Sequence, residues 1–180
     1  MSSKGFFYKF NRCEHHKGFY NEEDPTKALS KIYYADFFEY PNDDEFPYDT
    51  AFELLCGSCN HFSLSLKKIF NYTPYIIEGK NKRGFHSFCQ VYKNKKWYYI
   101  DARGITSSFD EFMDIAKSFV SDEYIIRPVD SNDIEDWERD FDYNKEAYAF
   151  AEAVIKKFRE CYLLSGQTMS KEQFENFISD

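Results

Sequence analysis

Residues 85–104 read FHSFCQVYKNKKWYYIDARG, and the way this stretch divides into strands decides the fold. Two β-rich runs, 84–93 and 96–104, flank a short polar turn, which is the pattern of an antiparallel hairpin. A loop centred between Lys93 and Asn94 makes paired residue numbers sum to 187. That register sets His86 directly opposite Asp101, within side-chain reach. Phe88, Gln90 and Tyr99 share their face, while Cys89 points the other way as a small core residue.

Upstream, YTPYIIEG (72–79) reads as a third strand. Before it, CNHFSLSLKKIF (59–70) reads as a helix with Ser58 as its N-cap. Asp24 and Pro25 suit the first turn of a helix spanning 24–40, and 41–50 is an acidic loop. Downstream, SFDE (108–111) is a capping box opening a helix to about Phe119. EYIIRPV (123–129) is a strand placed near a sheet edge by Pro128. A long helix is expected over about 133–164, ended by Gly166, with a last short helix after SKEQ (170–173). Along the long helix Ile134, Trp137, Phe141, Asn144, Tyr148, Ala151, Ile155, Phe158 and Tyr162 recur in steps of three and four. That seam packs within the domain or joins two copies as a homodimer. The sum is an α+β fold: a helix on an antiparallel sheet, with a long C-terminal helix. One domain is expected over 1–180, with a core at about 50–130 and a helical segment at about 131–180.

Composition narrows the function. The net charge of −8 disfavours a sequence-independent grip on nucleic acid or an anionic membrane. No stretch reaches the roughly 18 apolar residues of a membrane helix. The first residues hold no uninterrupted apolar run of the signal-peptide kind, so the expected compartment is the cytoplasm. Five cysteines, an odd number, argue against a disulfide framework and leave thiol chemistry, metal or burial. Aromatics are 21% of the chain, so rings rather than aliphatic side chains must fill much of the core.

The chemistry concentrates in LCGSCNHFSLSL (55–66). A helix N-terminus stabilises a thiolate, because its free N–H groups and dipole favour negative charge. With Ser58 as cap, Cys59 falls in the first turn and Cys56 in the entering loop, which favours Cys59 as nucleophile. A cysteine nucleophile needs a base, and the base needs an orienting group. His86 opposite Asp101 supplies both. The Cys59 N–H is a natural oxyanion donor, with Gln90 or Asn60 as candidates for the second. No cofactor is required for such chemistry.

GSCNHFSLSLKKIFNYTPYIIEG (57–79) followed by FHSFCQVYKNKKWYYIDARG resembles the core of the transglutaminase-like superfamily of papain-type cysteine enzymes. The likeness rests on Gly57-Ser58-Cys59 opening a helix with Phe62 three residues on, then a strand with His86, then a strand ending in Asp101. It covers about residues 57–105. The resemblance implies a Cys59–His86–Asp101 triad that forms a thioester from an amide or ester. Peptidase, amidase, deamidase or transglutaminase-like activity would follow, with a protein or peptide as substrate rather than a small molecule. An alignment through CGSCNH, as with arylamine N-acetyltransferases, places the nucleophile at Cys56 instead. YYIDARG (98–104) is also similar to a strand of small bacterial and phage-type proteins.

Three rivals stand beside this reading. Cys56, Cys59, His86 and Cys89 have zinc-ligand spacing, although His86 and Cys89 face opposite ways on a regular strand. Cys56-Gly57-Ser58-Cys59 before a helix has the local shape of a thioredoxin-like pair. A non-catalytic protein-binding module, such as an effector or anti-defence protein delivered to a host cell, would share the high aromatic content and long helix.

Overall fold

A computed structural model describes residues 16–39, 49–81, 84–120, 123–140 and 145–164. Cys13, most of the acidic loop, Phe141, Asn144, Gly166 and the capping box at 170–173 lie outside them.

The strands are β1 (His16–Gly18), β2 (Thr73–Gly79), β3 (Phe85–Lys93), β4 (Lys96–Asp101), β5 (Gly104–Thr106) and β6 (Tyr124–Pro128). They form one antiparallel sheet in the order β1-β5-β4-β3-β2-β6. The helices are α1 (Pro25–Leu29), α2 (Glu53–Cys56), α3 (Cys59–Phe70), α4 (Phe109–Ala116), α5 (Ser131–Asp140), α6 (Lys145–Lys157) and α7 (Arg159–Tyr162). The α+β class is therefore as expected, and β6 lies at an edge as Pro128 requires. Among the described residues no helix is long and apolar enough to cross a membrane.

The sheet is sandwiched. One face carries Cys89, Ile100 and Ala102, which pack against Phe62 and Leu66 of α3 and Phe150, Val154 and Ile155 of α6. The other face carries Ile77 and Phe88, covered by Phe112, Met113 and Ala116 of α4. Rings fill this second, smaller core: the Phe88 and Phe112 centroids are 4.5 Å apart, and Tyr99 stacks on Phe112 at 5.2 Å.

Three elements differ from expectation. The helix expected over 24–40 stops at Leu29, although Asp24 caps it through the N–H groups of Thr26 and Lys27. Beyond it the chain bonds to a distant segment: Ala51 N–H donates to Ile32 O, and Tyr34 N–H to Asp49 O. The run expected as one strand over 96–104 is two strands, folded back at Ala102–Arg103 so that Asp101 opposes Gly104. The helix expected over 133–164 is α5, α6 and α7, with Phe158 breaking the last two at φ −110°, ψ 37°. On α6 the buried face is Ala147, Phe150, Ala151, Val154 and Ile155, the broad stripe of a helix lying on a core rather than a narrow seam. Ala151, Ile155 and Tyr162 are thus occupied within the chain itself.

Candidate functional site

The β3–β4 turn has only two residues. Asn94 and Lys95 both take positive φ, 52° and 62°, which matches the twist of antiparallel strands. Lys93 opposes Lys96 and Cys89 opposes Ile100, so paired numbers sum to 189 rather than 187. His86 and Asp101 are therefore diagonal neighbours, not directly opposed. The error is two residues, which is one full period of a strand, so both side chains stay on the same face. They meet: His86 Nε2 lies 3.1 Å from Asp101 Oδ2, with His86 fully buried and Asp101 nearly so.

Cys59 meets β3 beside His86, where the β3–β4 ladder ends. β4 leaves the ladder after Ile100, because the chain turns back at Ala102–Arg103. Two residues along β3 from the last β4 pair, the Ser87 N–H donates to Cys59 Sγ at 3.4 Å. Ser87 Oγ is also 2.6 Å from Ser63 Oγ of α3, which ties the helix to the strand behind the thiol. Cys59 is the first residue of α3, as expected from Ser58. The Ser58 side chain, however, makes no cap bond, and its buried Oγ has no partner among the described residues. No acidic residue sits in the first turn either. The positive end of α3 is left without a side-chain cap beside the buried sulfur.

The electrostatics follow from burial and partners. Burial disfavours the imidazolium of His86, but hydrogen bonding to Asp101 and Cys59 outweighs it and raises the group to about 9. With Nε2 on Asp101, the other ring nitrogen, Nδ1, is buried and has no regular hydrogen bond among the described residues. The His86 ring is held by aromatic neighbours, with Phe119 stacked at 5.3 Å and Phe112 at 6.0 Å.

Asp101 has a second partner that sequence reasoning missed. Arg103, 2% exposed, turns its guanidinium onto the same carboxylate. Nη2 donates to Oδ2 at 2.7 Å and Nε to Oδ1 at 3.1 Å, while the Arg103 N–H donates to Oδ1 at 2.9 Å. Nη2 also donates to Phe112 O of α4 at 2.9 Å. Tyr20 covers the guanidinium, its ring centroid 4.9 Å away. Burial alone would raise the Asp101 carboxyl, but the charge of Arg103 and the hydrogen bond from His86 hold it well below the usual carboxylate range. The only sequence signal was an arginine two residues beyond a carboxylate and next to a glycine. That glycine is required: Gly104 has φ +117°, and a Cβ there would lie 2.3 Å from Lys17 O of β1.

The remaining candidates are not brought in. Cys56 ends α2 as an exposed residue, and partial burial of its thiol, with the neighbouring Cys59, pushes it up to about 11. Gln90 is four residues along β3 from His86, roughly 13 Å at strand spacing, and pairs with Tyr99 of β4. Asn60 borders a small cavity beside His61, Trp137 and Tyr148, and its carbonyl accepts from Ser63 Oγ. Cys89 donates to Ser63 O on the α3 face, away from His86, which separates the zinc-spaced set. No group of three or more metal-ligating side chains is gathered among the described residues.

Comparison with protein-family models, with curated proteins and with solved structures finds no match for this chain.

Proposed function

We propose that the protein is a thiol acyl-transfer enzyme with Cys59 as nucleophile, His86 as general base and acid, and Asp101 as orienting carboxylate. The observation that carries this reading is the position of one sulfur. Cys59 lies at the N-terminus of α3, beside an imidazole whose far nitrogen is bonded to a buried carboxylate. Raised to about 9, His86 holds its proton on the ring near pH 7 as the Cys59 sulfur attacks an amide or ester carbonyl. The Cys59 N–H, with no intrahelical carbonyl facing it, donates to the developing oxyanion. His86 then delivers the proton to the leaving amine or alcohol, and the acyl group remains on sulfur as a thioester. Water as acceptor gives hydrolysis, and an amine gives a new amide. A helix-borne cysteine set against an antiparallel sheet carrying the base and carboxylate supports a transglutaminase-like or papain-like relationship, with a protein or peptide as substrate.

Labelling the full chain with iodoacetamide near pH 7, read by peptide mass spectrometry, tests the assignment. Cys59 is expected to react at least tenfold faster than Cys56, Cys89 or Cys161, and His86→Gln should abolish the difference. Faster reaction at Cys56 would move the nucleophile to that residue. Equal reactivity of Cys59 and the buried Cys161 would remove the enzyme reading altogether.

One feature favours a second reading, a protein-binding module. Tyr92 and Trp97 stand exposed near the hairpin turn, 59% and 43% accessible, with rings 4.9 Å apart. Exposed paired aromatics of this kind anchor protein interfaces. Inert cysteines together with capture of a partner lost on Trp97→Ala would favour that alternative.

A further inference from the structure

The Asp101 carboxylate does more than orient an imidazole. Its Oδ2 is shared between His86 Nε2 and Arg103 Nη2, and its Oδ1 receives both the N–H and Nε of Arg103. The guanidinium is held by several partners: Asp101 in front, α4 carbonyls at Nη1 and Nη2, and the rings of Tyr20 and Phe112 against it. Its backbone is fixed as well. Arg103 O accepts from Tyr20 N–H at 3.2 Å, and the preceding carbonyl, Ala102 O, accepts from Tyr162 Oη at 2.9 Å. A lone surface-type arginine would need none of this.

A Cys–His–Asp cycle makes a specific demand on the carboxylate. When the imidazolium has passed its proton to the leaving group, the ring is neutral. A buried carboxylate facing a neutral ring would be an uncompensated charge, which is strongly disfavoured. The ring would then hold its proton instead of releasing it. Resting on the acyl-transfer reading above, we propose that Arg103 is a positioning residue of the site, whose guanidinium neutralises Asp101 so that His86 can change charge while the carboxylate stays ionised. Asp101-x-Arg103-Gly104 is then one device: carboxylate, turn, cation, and the glycine that lets β1 close over the turn.

The groups facing His86 can be named from each element. Cys59 faces it from α3, with Cys56 behind; Asp101 and Arg103 face it from the β4–β5 turn. Among the described residues, α4 and the short helical turn after it present the rings of Phe112 and Phe119, β3 presents the ring of Phe88, and β2 sets Ile77 opposite His86. Tyr20 and Glu111 act on Arg103 from its far side.

Nuclear magnetic resonance of the full chain provides the test, following the His86 ring and the Arg103 guanidinium from pH 5 to 10. In the native protein the Arg103 resonances should move with the His86 midpoint, because both groups share Oδ2. Arg103→Met should raise the midpoint of the His86–Asp101 pair by about one pH unit or more, since loss of a proton would then leave a net buried negative charge. Arg103→Lys, which keeps the cation, should return it to within about half a unit. Equal midpoints in native and Arg103→Met protein would overturn the proposal, as would Lys and Met variants that move it alike. Should Arg103→Met fail to fold, Arg103 resonances that ignore the His86 titration in the native chain would overturn it alone. None of these readings needs a substrate. An inert Cys59 with the expected titrations would remove the acyl-transfer reading and leave the charge clamp standing.

Discussion

Raising the pH should unlatch His86 from the fold. Its proton affinity in the folded chain is raised from 6.5 to about 9 despite complete burial, by hydrogen bonding to Asp101 and Cys59. A group raised in this way stabilises the fold fully below its unfolded value of about 6.5 and loses that contribution as pH rises through about 9. The interval, at ~1.36 kcal/mol per pH unit, amounts to ~3 kcal/mol. Asp101 acts in the opposite sense: its carboxyl is depressed, so its contribution is present above about 4 and lost only as pH falls through its lower folded value. The pair is therefore worth most between about pH 4 and 6.5. Urea unfolding at pH 6, 7.5 and 9.5, on the native chain and on His86→Gln, isolates the effect because the other ionisations are common to both. The stability difference between the two proteins should shrink by ~3 kcal/mol from pH 6 to 9.5. Cys59→Ala removes one of the two influences that raise His86, so its alkaline loss should begin at lower pH. Parallel pH profiles for the native chain and His86→Gln would refute the reasoning.

Five further outcomes follow from local geometry. Ser58→Ala should change stability by less than about 0.5 kcal/mol, or raise it, because the Ser58 Oγ is buried without a partner and caps nothing. Asp24→Ala should lower the melting temperature, because that carboxylate does cap a helix. Gly104→Ala should cost about 2 kcal/mol or more, since the new Cβ meets Lys17 O at a positive φ. Gly57→Ala, with its nearest atom 3.8 Å away, should stay within about 0.5 kcal/mol by the same unfolding assay. Lys95→Gly should stabilise the chain by about 0.5 kcal/mol in thermal or urea unfolding, because a glycine accepts the φ of +62° that lysine holds under strain.

What was legible in the chain was what short-range pattern encodes. Strands β2, β3, β4 and β6, the start of α3 at Cys59, the edge position of β6 and the shared face of His86 and Asp101 follow from periodicities of two and 3.6 and from turn chemistry, whereas β1 and the separate β5 do not. The face survived a wrong register because the error was a whole strand period. The misreadings share another cause. The 24–40 helix gave way to hydrogen bonds with residues 49–51, and the long C-terminal seam gave way to packing against α3. Both are competitions with distant segments that local propensity does not register. Ser58 occupies a cap position, but its hydroxyl is turned into the interior, which residue type alone does not reveal. Arg103 escaped notice because its partner choice depends on a reversal at residues 102–103 that an unbroken β-rich run conceals.

The two carbonyls of that reversal are held by residues from widely separated parts of the chain: Tyr20 takes one and Tyr162 the other. A chain under synthesis acquires Cys59, His86, Asp101 and Arg103 well before Tyr162, since translation runs from the N-terminus. Cys59, His86 and Asp101 are thus made first as separate parts. The hydroxyl that locks the turn after Asp101 arrives among the last described residues, so completion of this cluster is timed to near-completion of the described residues.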